Sequence, residues 1–294
     1  GLNPIIRAAV DVDDLGLEVY RHNLRPDRVL HASVASLVDF HVFEGGKKAH
    51  FAYAPELLDG QLEDLRGKIN IICAGPPCQG HSSLNNHTRG EDPRNVLYLS
   101  VPALAVALDV PIVVIENVSR VVNDKSGVVP TALALLERSG YKITAGQISA
   151  TDLGWPQTRK RYFMVATKDA DTVPLADTVR ALRQPVASVG WAIDDLLEVA
   201  PKNIFDETAD INDENMKRID YLFNSNLFEL PNDIRPDCHK EGHTYPAVYG
   251  RLKWDEPAGT ITSGFLSPGR GRFIHPLSRR CLTPHEAARL QGFP

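Results

Sequence analysis

The sequence predicts an α/β protein: a doubly wound, mostly parallel sheet followed by a second, smaller and irregular domain. Three observations lead there. The short apolar, β-branched runs at 69–74 and 112–115 read as buried parallel strands, the first of them central and covered on both faces. Strand-like and helix-like patterns alternate as far as Thr167. Beyond it Pro174, Pro185, Pro201, Pro231, Pro236 and Pro246 cut the chain into short segments with little helical period.

In order, residues 7–12 form a predicted strand ending at Asp11 and Val12. Residues 15–23 follow as a helix with Leu17, Tyr20 and Leu24 on one face, and 29–34 as a second strand. An acid at a strand end is the usual grip for a ribose diol, which makes Asp11 a candidate; its commoner role is a helix cap. After the strand at 69–74, Gly75 breaks the run. Pro76 and Pro77 fix their φ angles and lack N–H donors, so Cys78 is presented from a stiff turn at the strand's carboxyl end. In open α/β sheets that is where chemistry is done. The polar stretch 84–95 has no period and reads as a mobile active-site loop.

Residues 95–108 resume as an apolar helix, interrupted near Pro102, and the strand at 112–115 ends in Glu116 and Asn117. A helix over 131–139 is closed by Gly140, a strand follows at 141–149, and 153–156 is a turn. The strand at 162–166 is preceded by Gln157, Arg159 and Arg161. The carboxyl-terminal stretch has a helix start, with Thr283 as cap, Pro284 at the first position and Glu286 at the third.

At 294 residues, 43% hydrophobic and 23% charged, the chain can bury a large core. No run of about 18 apolar residues occurs and no basic head precedes an apolar stretch, so neither a membrane span nor a signal peptide is expected. The four cysteines, Cys73, Cys78, Cys238 and Cys281, have no CxxC spacing, which fits a reducing, cytoplasmic compartment without structural zinc. A net charge of −5 does not advertise a nucleic-acid binder. Local distribution is more telling, because Arg251, Lys253, Arg270, Arg272, Arg279, Arg280 and Arg289 gather near the carboxyl end, although alone such a gathering is a solvated face.

Cys78, Glu116 with Asn117, and Arg159 with Arg161 fall at or beside the carboxyl ends of predicted parallel strands. A thiolate attacks, a carboxyl group donates a proton and a guanidinium holds an oxygen: together they suit covalent catalysis on a polar ring. Singly, each has a plainer reading as a buried thiol, a helix cap or a surface charge.

These residues also carry a family resemblance. Gly75-Pro76-Pro77-Cys78-Gln79-Gly80-His81-Ser82, Asp92-Pro93-Arg94-Asn95, Glu116-Asn117-Val118, Gln157-Thr158-Arg159-Lys160-Arg161 and Arg289-Leu290-Gln291-Gly292-Phe293-Pro294 occur in the order and approximate spacing of blocks in the DNA cytosine-5 methyltransferases. The resemblance implies a fold of the S-adenosylmethionine-dependent methyltransferase type. It also implies methyl transfer from S-adenosylmethionine to carbon 5 of a flipped-out cytosine in double-stranded DNA, within a restriction-modification system. Cys78 would be the nucleophile, Glu116 the group at ring nitrogen 3, Arg161 with Arg159 the clamp on the base carbonyl, and Asn117 the support of the cysteine loop. Asp11 would bind the cofactor ribose and Val12 would pack on adenine, while Ser33, Val34, Pro76 and Leu97 would line the cofactor.

The chain departs from the pattern at Ser33, where an Asp usually faces the adenine amino group. The glycine-rich block that precedes the counterpart of Asp11 and the block that follows the Gln-Gly-Phe-Pro turn are both missing, so the sequence resembles a methyltransferase trimmed at both ends. The expected division is a catalytic domain at 1–170, a target-recognition domain at 171–280 and a returning helix at 281–294. Thr260-Ile261-Thr262 resembles a short element of the recognition part, whose arginines become candidate phosphate contacts. The expected protein is a monomer, cytoplasmic and nucleoid-associated in a bacterium or nuclear in a eukaryote. Three alternatives stay open: a cytosine-5 methyltransferase acting on RNA, a non-catalytic DNA-binding remnant, and a cysteine hydrolase.

Overall fold

A computed structural model describes residues 4–43, 46–58, 60–77, 97–168, 171–198, 200–240 and 247–293. Cys78 and the loop at 84–95 lie outside them. The chain divides into two compact units, one of residues 1–148 with 161–178, the other of residues 149–160 with 179–294.

In the first unit β1 (Ala9–Asp11) pairs in parallel with β2 (Val29–His31) across α1 (Asp14–Leu24), with Ala9 opposite Val29 and Asp11 opposite His31. The second strand stops short of the predicted residue 34. The Ser33 hydroxyl accepts the Ala35 N–H and starts a 3₁₀ turn at Val34–Ser36, so the backbone turns instead of extending. Two short antiparallel ribbons follow. They pair β3 (Val38–Asp39) with β6 (Glu56–Leu57) and β4 (Val42–Phe43) with β5 (His50–Phe51).

The main sheet uses β7 (Ile71–Ala74), β8 (Ile112–Val118), β9 (Lys142–Ser149) and β10 (Lys160–Thr167) in the order β7-β8-β10-β9, with α2 (Ser100–Ala107) and α3 (Val128–Arg138) in the crossovers. The pair β7–β8 is parallel, whereas β10 runs antiparallel to β8. The sheet is therefore mixed. An apolar period does not carry strand direction, so the sequence could not show this. The strand at 69–74 also differs from expectation: among the described strands β7 is at the end of the order, and Ile71 is 47% exposed. Ile72 and Ala74 face the core and Ile71 and Cys73 face away, an alternation hidden because all four residues are apolar.

α2 is apolar all round and almost wholly buried. Pro102 does not interrupt it, because it falls in the first turn, where an N–H has no intrahelical partner. α3 begins earlier than predicted and closes through Gly140, whose φ of +86° suits a residue without Cβ. Ile115, Met164, Leu136, Leu108 and Tyr98 form the centre of this core.

After α4 (Leu175–Ala181), the second unit holds α5 (Val189–Ile193), α6 (Asp213–Asn224) and α7 (Pro284–Leu290), linked by turns and isolated bridges. One core gathers Val189, Ile193, Leu252, Ile261, Phe273 and Leu290, a second gathers Ile219, Leu222, Leu230, Tyr249 and Ile274. The expectation of little helical period misses α6. Its signals were present: Asn212 accepts the Asn215 N–H as a cap, Asp213 and Glu214 occupy the first turn, and Met216, Ile219, Leu222 and Phe223 share the inner face. α7 follows its predicted start, with the Thr283–Glu286 capping box formed in both directions.

Candidate active site

The carboxyl end of β8 organises the site. Along this strand Val113, Ile115 and Asn117 are buried, whereas Val114, Glu116 and Val118 look to the other, less buried face. In the antiparallel register Phe163 lies opposite Glu116 and Arg161 opposite Val118, so Glu116 and Arg161 are diagonal neighbours on one face. Arg161 Nε donates to Glu116 Oε1 at 2.9 Å, with the two side chains 21% and 36% exposed. The arginine thus reaches the site from the amino end of an antiparallel strand, a direction the sequence did not disclose.

On the opposite face, buried Asn117 donates from Nδ2 to the Pro76 carbonyl at 3.2 Å, and its Oδ1 accepts the Val118 N–H at 2.8 Å. That carbonyl belongs to the proline pair leading from β7 to Cys78. A Cβ built on Gly75 would lie 3.7 Å from Glu116 Oε2, so the start of the turn passes beside the carboxylate. One strand therefore braces the stem of the cysteine turn with Asn117 and displays an acid-guanidinium pair with Glu116.

The expected cofactor residues form two groups. The parallel register of β1 and β2 sets Asp11, Val12 and the Ser33–Val34 turn at the same strand ends. Asp11 Oδ1 accepts the Asp13 N–H at 2.9 Å and Val12 is 65% exposed. A carboxylate that accepts from both hydroxyls, beside an exposed apolar side chain, fits a ribose diol and the face of a purine. The Ser33 hydroxyl already serves the Ala35 N–H, so it is not the equal of a carboxylate there. Leu97 has its carbonyl tied by the Ser100 hydroxyl at 2.7 Å. Among the described residues no cluster of His, Cys, Asp and Glu could hold a metal, and no helix is long and apolar enough to cross a membrane.

Arg159 belongs to the second unit, where its carbonyl accepts the Ala150 N–H. Its neighbours tie that unit together. Gln157 Nε2 donates to the Leu290 carbonyl at 3.4 Å, and the Thr158 N–H donates to the Ala258 carbonyl at 2.8 Å. The turn at Gly292 has φ +87° and lies against Trp155: an added Cβ would fall 1.4 Å from a ring carbon.

Most of the basic residues expected on a free face are engaged internally. Arg251 donates to the Pro276 carbonyl and lies 4.0 Å from the Phe223 ring centre. Arg272 bonds Glu229 and two backbone carbonyls, Arg279 bonds Asp220 and Asn224, Lys253 bonds Glu256, and Arg289 bonds Asp195. Arg280 grips buried Glu286 through both oxygens at 2.7 and 2.6 Å. Burial opposes the Glu286 charge, but this grip and the Thr283 N–H hold its pKa below the ordinary range.

His275 completes that cluster and escaped the sequence reading, since nothing in a lone histidine announces burial. It is 0% exposed, and its Nδ1 accepts the Leu277 and Ser278 N–H groups at 3.1 and 2.9 Å. The proton of the neutral ring is therefore on Nε2, 3.4 Å from Glu286 Oε1 and without a hydrogen bond. Burial lowers its pKa to about 4.

Residues 54–294 match the family model for C-5 cytosine-specific DNA methylases. The chain is 41% identical to the Type II methyltransferase M1.BsuMI of Bacillus subtilis, over the whole chain and 67% of that protein. It is 30% identical to the Type II methylase M.HgiDII of Herpetosiphon aurantiacus, over 77% of the chain and 65% of that protein. It thus spans about two thirds of the length of these relatives. The structure of the S. pombe Dnmt2 methyltransferase superposes with a TM-score of 0.56 at 18% identity, covering 98% of this chain and 79% of that one, so the methyltransferase fold is shared. With a family match over most of its length and a 41% identical relative spanning all of it, the chain belongs to the C-5 cytosine-specific DNA methylases.

Proposed function

We propose that the protein methylates carbon 5 of a cytosine flipped out of duplex DNA, as the modification enzyme of a restriction-modification system. The observation that carries this reading is the Glu116–Arg161 pair, displayed beside the Gly75–Pro76 stem that leads into Cys78. Carbon 5 of cytosine is a poor nucleophile and must be activated. The Cys78 thiolate forms a bond to carbon 6, while Glu116 donates a proton or hydrogen bond to ring nitrogen 3 and draws electron density from the ring. Arg161, with Arg159, holds the base carbonyl oxygen. S-adenosylmethionine, when bound, supplies an electrophilic methyl group on a sulfonium. The activated carbon 5 takes that methyl group, then loses its proton, and the bond to Cys78 breaks to restore the aromatic ring.

Asn117 acts through Pro76 to keep the stem of the cysteine turn in place. Asp11 and Val12 would hold the ribose and adenine, with Ser33, Val34, Pro76 and Leu97 around them. The parallel pairs β1–β2 and β7–β8 support reading the strands of the first unit as parts of one doubly wound, mostly parallel sheet. We place the chemistry in residues 1–170 and DNA recognition in residues 171–280, in a monomeric cytoplasmic enzyme.

A duplex containing 5-fluorocytosine at the target tests the proposal, because fluorine stands in place of the carbon 5 proton and cannot leave as a cation, so the adduct stays trapped. With S-adenosylmethionine the protein should form a denaturant-stable adduct on duplex DNA, and Cys78→Ser should form none. Trapping on fluorinated RNA but not on DNA would overturn the substrate, and trapping that survives Cys78→Ser would overturn the mechanism.

A further inference from the structure

We infer that Arg270 is a phosphate contact through which the second unit grips the backbone of duplex DNA. The inference rests on the DNA-methylating reading above and names a residue for it. Between Glu256 and Glu286 the chain has no acidic residue and four arginines. Three of them, Arg272, Arg279 and Arg280, spend their guanidinium groups on carboxylates, an amide or carbonyls inside the unit. Arg270 differs: among the described residues no carboxylate, carbonyl or ring engages its guanidinium.

Its backbone, in contrast, is tightly held. Arg270 closes the 3₁₀ turn Pro268–Arg270 by donating its N–H to the Ser267 carbonyl at 3.2 Å, and the Ser267 N–H donates to the Gly264 carbonyl at 3.0 Å. The Tyr249 N–H donates to the Pro268 carbonyl at 2.7 Å, bracing the turn from below. The stem is seated as well, because a Cβ on Gly264 would stand 2.9 Å from Arg270 Cβ and 3.0 Å from Cγ. Fixed backbone, seated stem and an uncommitted charge leave little entropy to lose when an external anion binds. The neighbouring guanidinium groups are already neutralised, so the net attraction toward a polyanion concentrates at this turn. Most protein–DNA hydrogen bonds go to phosphate and sugar, and a guanidinium meets a phosphate through parallel N–H bonds, so the backbone is the partner this charge fits.

The test measures binding of the protein as its gene encodes it to a modified-site duplex and a scrambled duplex by fluorescence anisotropy over a salt series. Arg270→Gln keeps the stem on Gly264 and removes the charge; Arg270→Lys keeps a charge, and Arg279→Ala serves as a structural control. Arg270→Gln should weaken both duplexes several-fold alike and lower the slope of log affinity against log salt by about 0.9, with Arg270→Lys near wild type. Unchanged affinity and slope, loss confined to the modified-site duplex, or an equal slope change in Arg279→Ala would each overturn the inference alone. Failure of the wild-type protein to bind either duplex would overturn the DNA-methylating reading together with it.

Discussion

His275 makes the stability of the second unit depend on pH in a defined window. The ring can take a second proton only at Nδ1, where two backbone N–H groups already donate, and only inside a fully buried site facing Arg280 and Arg251. Glu286 favours the charged ring, yet it is already shared with Arg280, and burial dominates to leave the folded pKa at about 4. The unfolded histidine titrates near 6.5, so between these values the unfolded chain binds more protons than the folded one. Stability should therefore fall as pH drops from 6.5 to 4, by about 3 kcal/mol in all. Below the folded value the loss from this group ends. Glu286, held below the ordinary carboxylate value of 4.5, begins to lose its contribution only as pH falls below that value toward its lower folded one, so the upper half of the window isolates His275. Trp155, Trp191 and Trp254 all belong to the second unit, so tryptophan fluorescence during urea unfolding reports on it selectively. His275→Asn, whose Oδ1 falls where Nδ1 did, offers an oxygen to the same N–H groups without a titrating proton, and should flatten the pH dependence between 6.5 and 4.5. An equally steep dependence in that variant would refute the reasoning.

Two further outcomes follow from single contacts. Gly292→Ala would drive a methyl group into the Trp155 ring at a φ of +87°, so it should cost about 2 kcal/mol or more and shift the tryptophan emission; an unchanged urea midpoint would contradict the packing. Asn117→Ala removes the bond to the Pro76 carbonyl inside a buried face. It should cost about 1–3 kcal/mol of stability and slow adduct formation on 5-fluorocytosine DNA, with duplex affinity unchanged; an equal loss of affinity and adduct rate would contradict a role confined to the cysteine turn.

Where local chemistry decides, the sequence was legible. Thr283, Pro284 and Glu286 announced α7 because a capping box needs only a four-residue stretch, and the apolar run at 112–115 announced β8, although the strand continues through Glu116 and Asn117 to Val118. Where partners are distant in sequence it was not. Nothing adjacent to Arg272 or Arg279 says that Glu229 or Asp220 will neutralise it, so a basic stretch read as a free face became mostly internal scaffolding. His275 was equally silent, because its burial depends on the segment after Phe273 folding back onto α7.

The site shows the same division more sharply. Its residue types were all visible, but not why Glu116 and Asn117, adjacent in sequence, do different jobs. That follows from the alternation of a strand, which turns neighbours to opposite faces, and from the direction of β10, which sets Arg161 diagonal to Glu116. In a parallel arrangement the amino end of that strand would lie at the far edge of the sheet, away from Glu116. The antiparallel strand is thus what sets the Arg161 guanidinium against Glu116, while Asn117 on the other face of β8 holds the Pro76 carbonyl.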